Sequence, residues 1–238
     1  MAVRTPVYVV CSPLDRVGKT LIARLFTEFF IAEDRYVEAF DLNSDQPSLF
    51  DYLPGCTRSA EIGDTRGQMA LFDRLIRDDG APKVIDLGHG AFEPFFRIVG
   101  QVGFVEEARH LGIQVIALFI AHPGPVSVRA YATLQRWLQG LVLVPVHNEG
   151  IVRGQNRQQF PTAGGASLPL RIPALAPGLQ RIVNSPAFSF ADLRHGRQGE
   201  IDQAYRPELE SWMKRIFVEF RELELRLLLE TLQLSLQS

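Results

Sequence analysis

The sequence is poor in cysteine, in lysine and in long apolar runs. Two cysteines, Cys11 and Cys56, stand in 238 residues with no CxxC spacing. That excludes a disulfide framework and fits a reducing compartment, so a cytoplasmic location is expected. Only three lysines occur, Lys19, Lys83 and Lys214, against 22 arginines, and a lysine at a chemically pointed position therefore stands out. No apolar run reaches the roughly 18 residues needed to cross a bilayer. Residues 1–6 carry no apolar core ahead of a cleavage site, so neither a membrane span nor a signal peptide is expected. Net charge is −2, which provides no global basic field for nucleic acid. The five histidines, at 89, 110, 122, 147 and 195, show no metal-ligand spacing with cysteine or acids. No GxSxG element marks a serine hydrolase.

What is present is an ordinary globular balance, 46% hydrophobic and 22% charged, arranged as apolar runs alternating with helical patterns. Residues 7–12 (VYVVCS), 36–43 (YVEAFDLN), 84–87 (VIDL), 113–121 (IQVIALFIA), 141–147 (LVLVPVH) and 168–173 read as strands. Between them, residues 18–33, 68–77 and 126–139 read as helices. Asp64 or Thr65 is placed to cap the second of these. Residues 92–111 read as helical with interruptions at Pro94 and Gly103. Near-continuous apolar strands separated by amphipathic helices predict an α/β fold in three layers, a mainly parallel sheet covered by helices on both faces. Residues 148–167, with GQNRQQ and TAGGAS, form a long polar loop. Arg153 and Arg157 within it are candidate DNA contacts, a thin basic patch.

The last segment has a different texture. Leu209, Met213, Ile216, Phe220, Leu223, Leu227, Glu230 and Leu234 follow 4-3-4-3 spacing, and seven of the eight are apolar. That predicts a long helix with a coiled-coil-like seam, widened by Trp212, Phe217, Leu228, Leu229 and Leu232. The expected organisation is a nucleotide-binding unit over 1–200 and a C-terminal helix over 201–238. The helix is expected to pack on that unit or to serve a homodimer or a protein partner. Six glutamates between 208 and 230 oppose an anionic membrane surface.

The strongest chemical signal is residues 11–26, CSPLDRVGKTLIARLF. An apolar strand enters a loop, then Gly18-Lys19-Thr20, then a helix, which is the layout of a phosphate-binding loop. Helix-start N–H groups and the helix dipole favour an anion there. Lys19 would reach the phosphates, the Thr20 hydroxyl would ligate Mg²⁺, and Asp15, Arg16, Val17 and Leu21 complete the loop and its exit. The pattern departs from GxxxxGK[ST] at Pro13, which has no N–H to donate. Asp41 and Asp86 end the second and third expected strands, where open parallel sheets bind ligands. Two carboxylates there would hold Mg²⁺ and orient a water. Asn148, directly after LVLVPVH, would face a purine edge. Ile151 replaces the acid that an NKxD guanine site requires, so adenine and hence ATP is favoured.

Together these residues resemble the ParA/MinD-like branch of P-loop ATPases, over roughly residues 5–180. The matching segments are Leu14–Thr20 for the deviant loop KGGxGKT, 41–47 (DLNSDQP), 85–90 (IDLGHG), Asn148, and Ile172–Pro173 for the IP-containing loop near the base. The resemblance implies an ATP·Mg²⁺-dependent molecular switch that dimerises around nucleotide and acts in partitioning, positioning or plasmid transfer. It places Lys19 and Asp41 in catalysis, Thr20, Asp41 and Asp86 at the metal, and Asn148 and Pro173 near the base. The family's signature lysine falls at Leu14, its two loop glycines at Asp15 and Arg16, and its second Asp at Asn43. Two other readings stay open. One is a nucleotide-binding scaffold without turnover. The other is an ATP-dependent ligase similar to dethiobiotin synthetase, whose VGKT matches Val17–Thr20. That family expects a lysine soon after strand two, and this chain has none between 19 and 83.

Overall fold

The structure is a computed structural model. It describes residues 5–43, 48–152, 160, 168–198, 201 and 204–236, the last three of these by backbone alone. Arg153, Arg157, residues 44–47 of the DLNSDQP segment and the side chain of Leu234 lie outside the described residues. Seven strands form one sheet: β1 (Thr5–Cys11), β2 (Glu38–Leu42), β3 (Thr57–Ser59), β4 (Lys83–Leu87), β5 (Ile113–Ile120), β6 (Val142–Asn148) and β7 (Leu170–Ile172). Their order is β3-β2-β4-β1-β5-β6-β7, and every pairing is parallel. The three-layer α/β fold expected from the sequence is therefore present, with a sheet more uniform than "mainly parallel".

The helices are α1 (Lys19–Ala32), α2 (Leu49–Tyr52), α3 (Thr65–Leu75), α4 (Phe92–Gln101), α5 (Phe104–His110), α6 (Pro125–Trp137), α7 (Pro177–Val183), α8 (Phe190–Arg194) and α9 (Arg206–Leu236). Alternate strand residues divide the interior, as the two-residue period of a strand requires. Tyr8, Val10, Val84, Ile116 and Leu118 face α1, α7, α8 and α9. Val7, Val9, Ile85, Val115 and Ala117 face α3, α4, α5 and α6.

Several local expectations are corrected. The chain breaks between α4 and α5 at Gly103, whose φ of 63° is left-handed, but not at Pro94. Pro94 falls in the first turn of α4, where the missing N–H has no intrahelical acceptor. Asp64 rather than Thr65 caps α3, accepting from Gly67 N. Strand β3 was not expected, because Thr-Arg-Ser carries no apolar alternation; it exists by pairing with β2. Asn148 is the last residue of β6 rather than the first beyond it.

The seam of α9 is spent inside the chain. Leu209, Met213, Ile216, Phe220, Leu223 and Leu227 are all buried in the core shared with α1. Phe220 meets Phe26 edge-on at 4.5 Å, and Phe217 meets Phe29 at 5.3 Å. That stripe is therefore not open to a second copy. Helix α1 is fixed from a second side by a buried ion pair. Arg24, 1% exposed, donates to Glu28 at 2.9 Å, to the Val183 carbonyl at 2.6 Å and to the Phe188 carbonyl. Glu28 also accepts from the Ser189 hydroxyl and Ala191 N. The Arg24 guanidinium lies over the rings of Tyr52, Phe188 and Phe190.

Removing one partner of such a pair strands the other as a buried charge. Arg24→Met is expected to cost about 3–5 kcal/mol, measured as the fall in ΔG of unfolding in urea. A loss below about 1 kcal/mol would show that Glu28 is satisfied without its arginine.

Candidate functional site

The site forms at the carboxyl ends of β1, β2 and β4. Strand β1 runs between β4 and β5 at the centre of the sheet, so the loop after it opens at the point where connections diverge to either side, the usual binding place in an open parallel sheet. The loop 12–18 turns through two left-handed residues, Arg16 at φ 50° and Gly18 at φ 89°. Gly18 is required twice over. Its φ suits glycine, and a Cβ there would stand 2.5 Å from Asn148 Nδ2. Arg16 adopts the same region without that licence, at a cost of about 1–2 kcal/mol.

Inside the loop the side chains divide sharply. Val17 is buried and Leu14 packs against the same core. The Arg16 and Asp15 side chains are 95% and 61% exposed. Leu21 is half-buried against that core. Lys19 is buried, and its ammonium donates to the Leu14 carbonyl at 2.5 Å. The cation is thus held inside its own loop, next to the N-terminus of the 14-residue α1, where first-turn N–H groups lack intrahelical acceptors.

Asp41 and Asp86 are paired in the register of β2 and β4. Each is the penultimate residue of its strand. Asp86 has no exposed surface. Its Oδ2 accepts from the Thr20 hydroxyl at 2.7 Å, and that hydroxyl accepts from Asn43 Nδ2 at 3.1 Å. Its Oδ1 is buried and has no hydrogen-bond partner among the described residues. Burial pushes the Asp86 pKa up to about 7, and the Asp41 charge raises it further. Thr20, Lys19 and the Asn43 amide oppose the shift without cancelling it. Asp41 is otherwise engaged. Its Oδ1 accepts from Asn43 N at 3.0 Å and its Oδ2 from Phe50 N at 2.8 Å, so both oxygens shape the chain between β2 and α2.

Asn148 is buried. Its Nδ2 donates to the Val17 carbonyl at 3.0 Å and its Oδ1 accepts from Gly150 N at 3.1 Å. Its amide ties β6 to the loop of residues 12–18. Pro173 offers its carbonyl to Trp212 Nε1 at 2.8 Å, which joins the end of β7 to α9. The structure thus brings Lys19, Thr20, Asp41, Asp86 and Asn148 around one loop, and sets Pro173 against the C-terminal helix. Asn43 is the residue that the sequence reading passed over as a lost acid. The available signal was its place two residues after a strand-end Asp. Beside these groups, at the ends of β2, β3 and β4, lies a cavity of about 690 Å³ lined by Asp41, Asn43, Ser59, Glu61, Gly88 and Pro94 among others.

The donor set fits a hard cation. A bare buried carboxylate oxygen next to a hydroxyl, beside a helix start that favours anions, suits Mg²⁺ bound together with phosphate. No group of three or more His, Cys, Asp or Glu side chains comes together among the described residues. A cation here would therefore draw its remaining ligands from phosphate and water, as Mg²⁺ commonly does. Among the described residues no helix is long and apolar enough to cross a membrane. Comparison of the chain with protein-family models and with curated proteins returned no match.

Two measurements test this geometry. Arg16→Gly is expected to raise stability by about 1 kcal/mol, because relief of the left-handed strain outweighs glycine's chain-entropy cost. The urea midpoint should move up accordingly, and an unchanged or lower midpoint would mean that Arg16 makes a compensating interaction. The second concerns pH. The folded pKa of Asp86 lies above its unfolded value of 3.8, so the folded state takes up a proton first. Its contribution to stability therefore rises as pH falls from above 7 towards 4, by on the order of a few kcal/mol. Asp86→Asn should flatten that part of the stability–pH curve, and identical curves would refute the buried ionised carboxylate.

Proposed function

We propose that the chain binds ATP with Mg²⁺ at the 12–20 loop and works as a nucleotide-dependent switch of the ParA/MinD type. The observation that carries the proposal is the buried Oδ1 of Asp86, without a hydrogen-bond partner among the described residues, beside the Thr20 hydroxyl at the start of α1. A carboxylate oxygen buried without a partner is costly, and a divalent ion with its phosphate would satisfy it. In this reading Lys19 exchanges the Leu14 carbonyl for phosphate oxygens, the α1 N–H groups bind the same anion, and Thr20 and Asp86 hold the metal. Bound Mg²⁺ would neutralise the phosphate charge and polarise the terminal phosphoryl group.

The roles of Asp41 and Asn148 are narrower than the resemblance implies. Asp41 orients a water only if the N–H groups of Asn43 and Phe50 release one of its oxygens, so hydrolysis is expected to be slow. Asn148 holds the loop through Val17, and its contribution to base choice would come through that position. Ile151 in place of an acid disfavours guanine. A switch without turnover is the second reading, favoured by Leu14. That residue packs into the core at the position where the resembled family carries a cation. A reducing, cytoplasmic setting belongs to the same proposal and rests on two unpaired thiols, one of them buried.

Calorimetry with Mg²⁺ and ATP or GTP tests it. Wild type is expected to bind ATP in preference to GTP, and Lys19→Ala to lose at least about tenfold in affinity, some 1.4 kcal/mol. Asp86→Asn should keep nucleotide binding but lose its dependence on Mg²⁺. Absence of binding at millimolar ATP would reject the nucleotide site and both readings with it.

A further inference from the structure

Asn43 sits one residue past the end of β2 and two after Asp41, and its backbone N–H is tied to Asp41 Oδ1 at 3.0 Å. Its side chain is placed at both edges of the amide. Nδ2 donates to the Thr20 hydroxyl at 3.1 Å. Oδ1 lies against Gly88, where a Cβ would stand 3.0 Å from that oxygen, 3.0 Å from Asn43 Cα and 2.9 Å from the Leu42 carbonyl. The missing side chain at 88 is what admits the amide to this position. Asp41, Asn43 and Gly88 line the cavity of about 690 Å³, whereas Thr20 and Asp86 do not. The amide therefore stands between that cavity and the Thr20–Asp86 pair.

The direction of each hydrogen bond follows from what its partner can do. A hydroxyl has one proton and two lone pairs, and an ionised carboxylate only accepts. Thr20 commits its proton to Asp86 at 2.7 Å. It can then only accept from Asn43, and the amide must present its N–H edge. The same amide favours the ionised form of Asp86, so its partial positive charge lies beside both groups that would hold a metal. A cation touching Thr20 and Asp86 together needs the ground that this N–H edge holds.

We infer, on the reading that Thr20 and Asp86 hold a divalent cation, that the Asn43 amide competes with that cation and sets how tightly it binds. The entering cation displaces one N–H···O bond by rotation of the Asn43 side chain, while the backbone N–H stays on Asp41. The net worth of such a bond is modest, so the amide weakens cation binding without preventing it. Asp41 gives little help, because each of its oxygens already accepts a backbone N–H. One carboxylate and one hydroxyl, opposed by an amide, hold Mg²⁺ poorly, and phosphate oxygens supply the ligands that are lacking. The cation then arrives with its phosphate rather than residing in the protein. An acid at position 43 would reverse this, because it puts a ligand where the donor stands.

Titration of the nucleotide-free protein with Mn²⁺, the free ion followed by electron paramagnetic resonance, tests this. Asn43→Ala should bind Mn²⁺ about three- to tenfold more tightly than wild type, the worth of one displaced hydrogen bond. Alanine supplies no ligand, and loss of a merely structural side chain would leave the affinity unchanged or lower it. Asn43→Asp should bind at least about tenfold more tightly than wild type, through its added charge. Its Tm should fall without the ion and recover with it. Adding Asp86→Asn to that variant should abolish the gain. Equal or weaker binding by Asn43→Ala, including none by either protein, would overturn the inference. The Mg²⁺ dependence of ATP binding would then judge the cation site separately. A gain in Asn43→Asp that survives Asp86→Asn would put the ion elsewhere, and would overturn both the inference and the cation site.

Discussion

The site depends on one carboxylate that the fold buries and only half satisfies. Asp86 has no contact with solvent, one oxygen bonded to Thr20 and one without a hydrogen-bond partner among the described residues. Such a group is expensive, and it persists because neighbours on three elements determine its position. Register with β2 sets Asp41 beside it. Asn43 bonds the same hydroxyl that bonds Asp86. Thr20 is fixed by α1, which is itself wedged between the sheet, α9 and the Arg24–Glu28 pair. None of these can move alone without exposing apolar surface or unpairing a buried charge, and that rigidity is what a preorganised cation and phosphate site requires.

How much of this could be read from the chain follows from the range of the interactions. The strand–loop–helix around Gly18-Lys19-Thr20 was legible because its signals are local: an apolar run, a glycine followed by Lys-Thr, and a helix with apolar period. Asp86 was legible as an acid at the end of an apolar strand. The task of Asn148 was not, since its partner Val17 lies 131 positions away and only the folded sheet joins them. Nor was the engagement of Asp41, whose acceptors are filled by a loop with no pattern of its own. Strand β3 was missed because pairing rather than composition makes it a strand. The helix α9 was legible as a helix, but its seam could not say whether it would meet this chain or another. Phe26 and Phe29 on α1 decide that, edge-on to Phe220 and Phe217.

The loop of residues 12–18 is held at both ends and in the middle by unlike means. Leu14 and Val17 are anchored by apolar burial, Val17 by a side-chain amide from β6, and Lys19 by a carbonyl five residues back. The exposed stretch is confined to Asp15 and Arg16. The loop is thus already shaped, with the Lys19 ammonium held on the Leu14 carbonyl inside it.

The position of β1 has a consequence for the order of assembly. Its two neighbours are distant in the chain: Val7 pairs with Lys83 and Thr5 with Ile113. During synthesis β1 therefore has no partner on either edge until most of β4 and then β5 have followed. Contacts of such sequence separation form slowly, because loop-closure entropy must be met before they are rewarded. The loop of residues 12–18 begins where β1 ends, so it gains its shape only after the chain has been made through β5. A nascent chain would present an unpaired apolar strand long before it presents a binding site, and that interval is when protection by a chaperone would matter most.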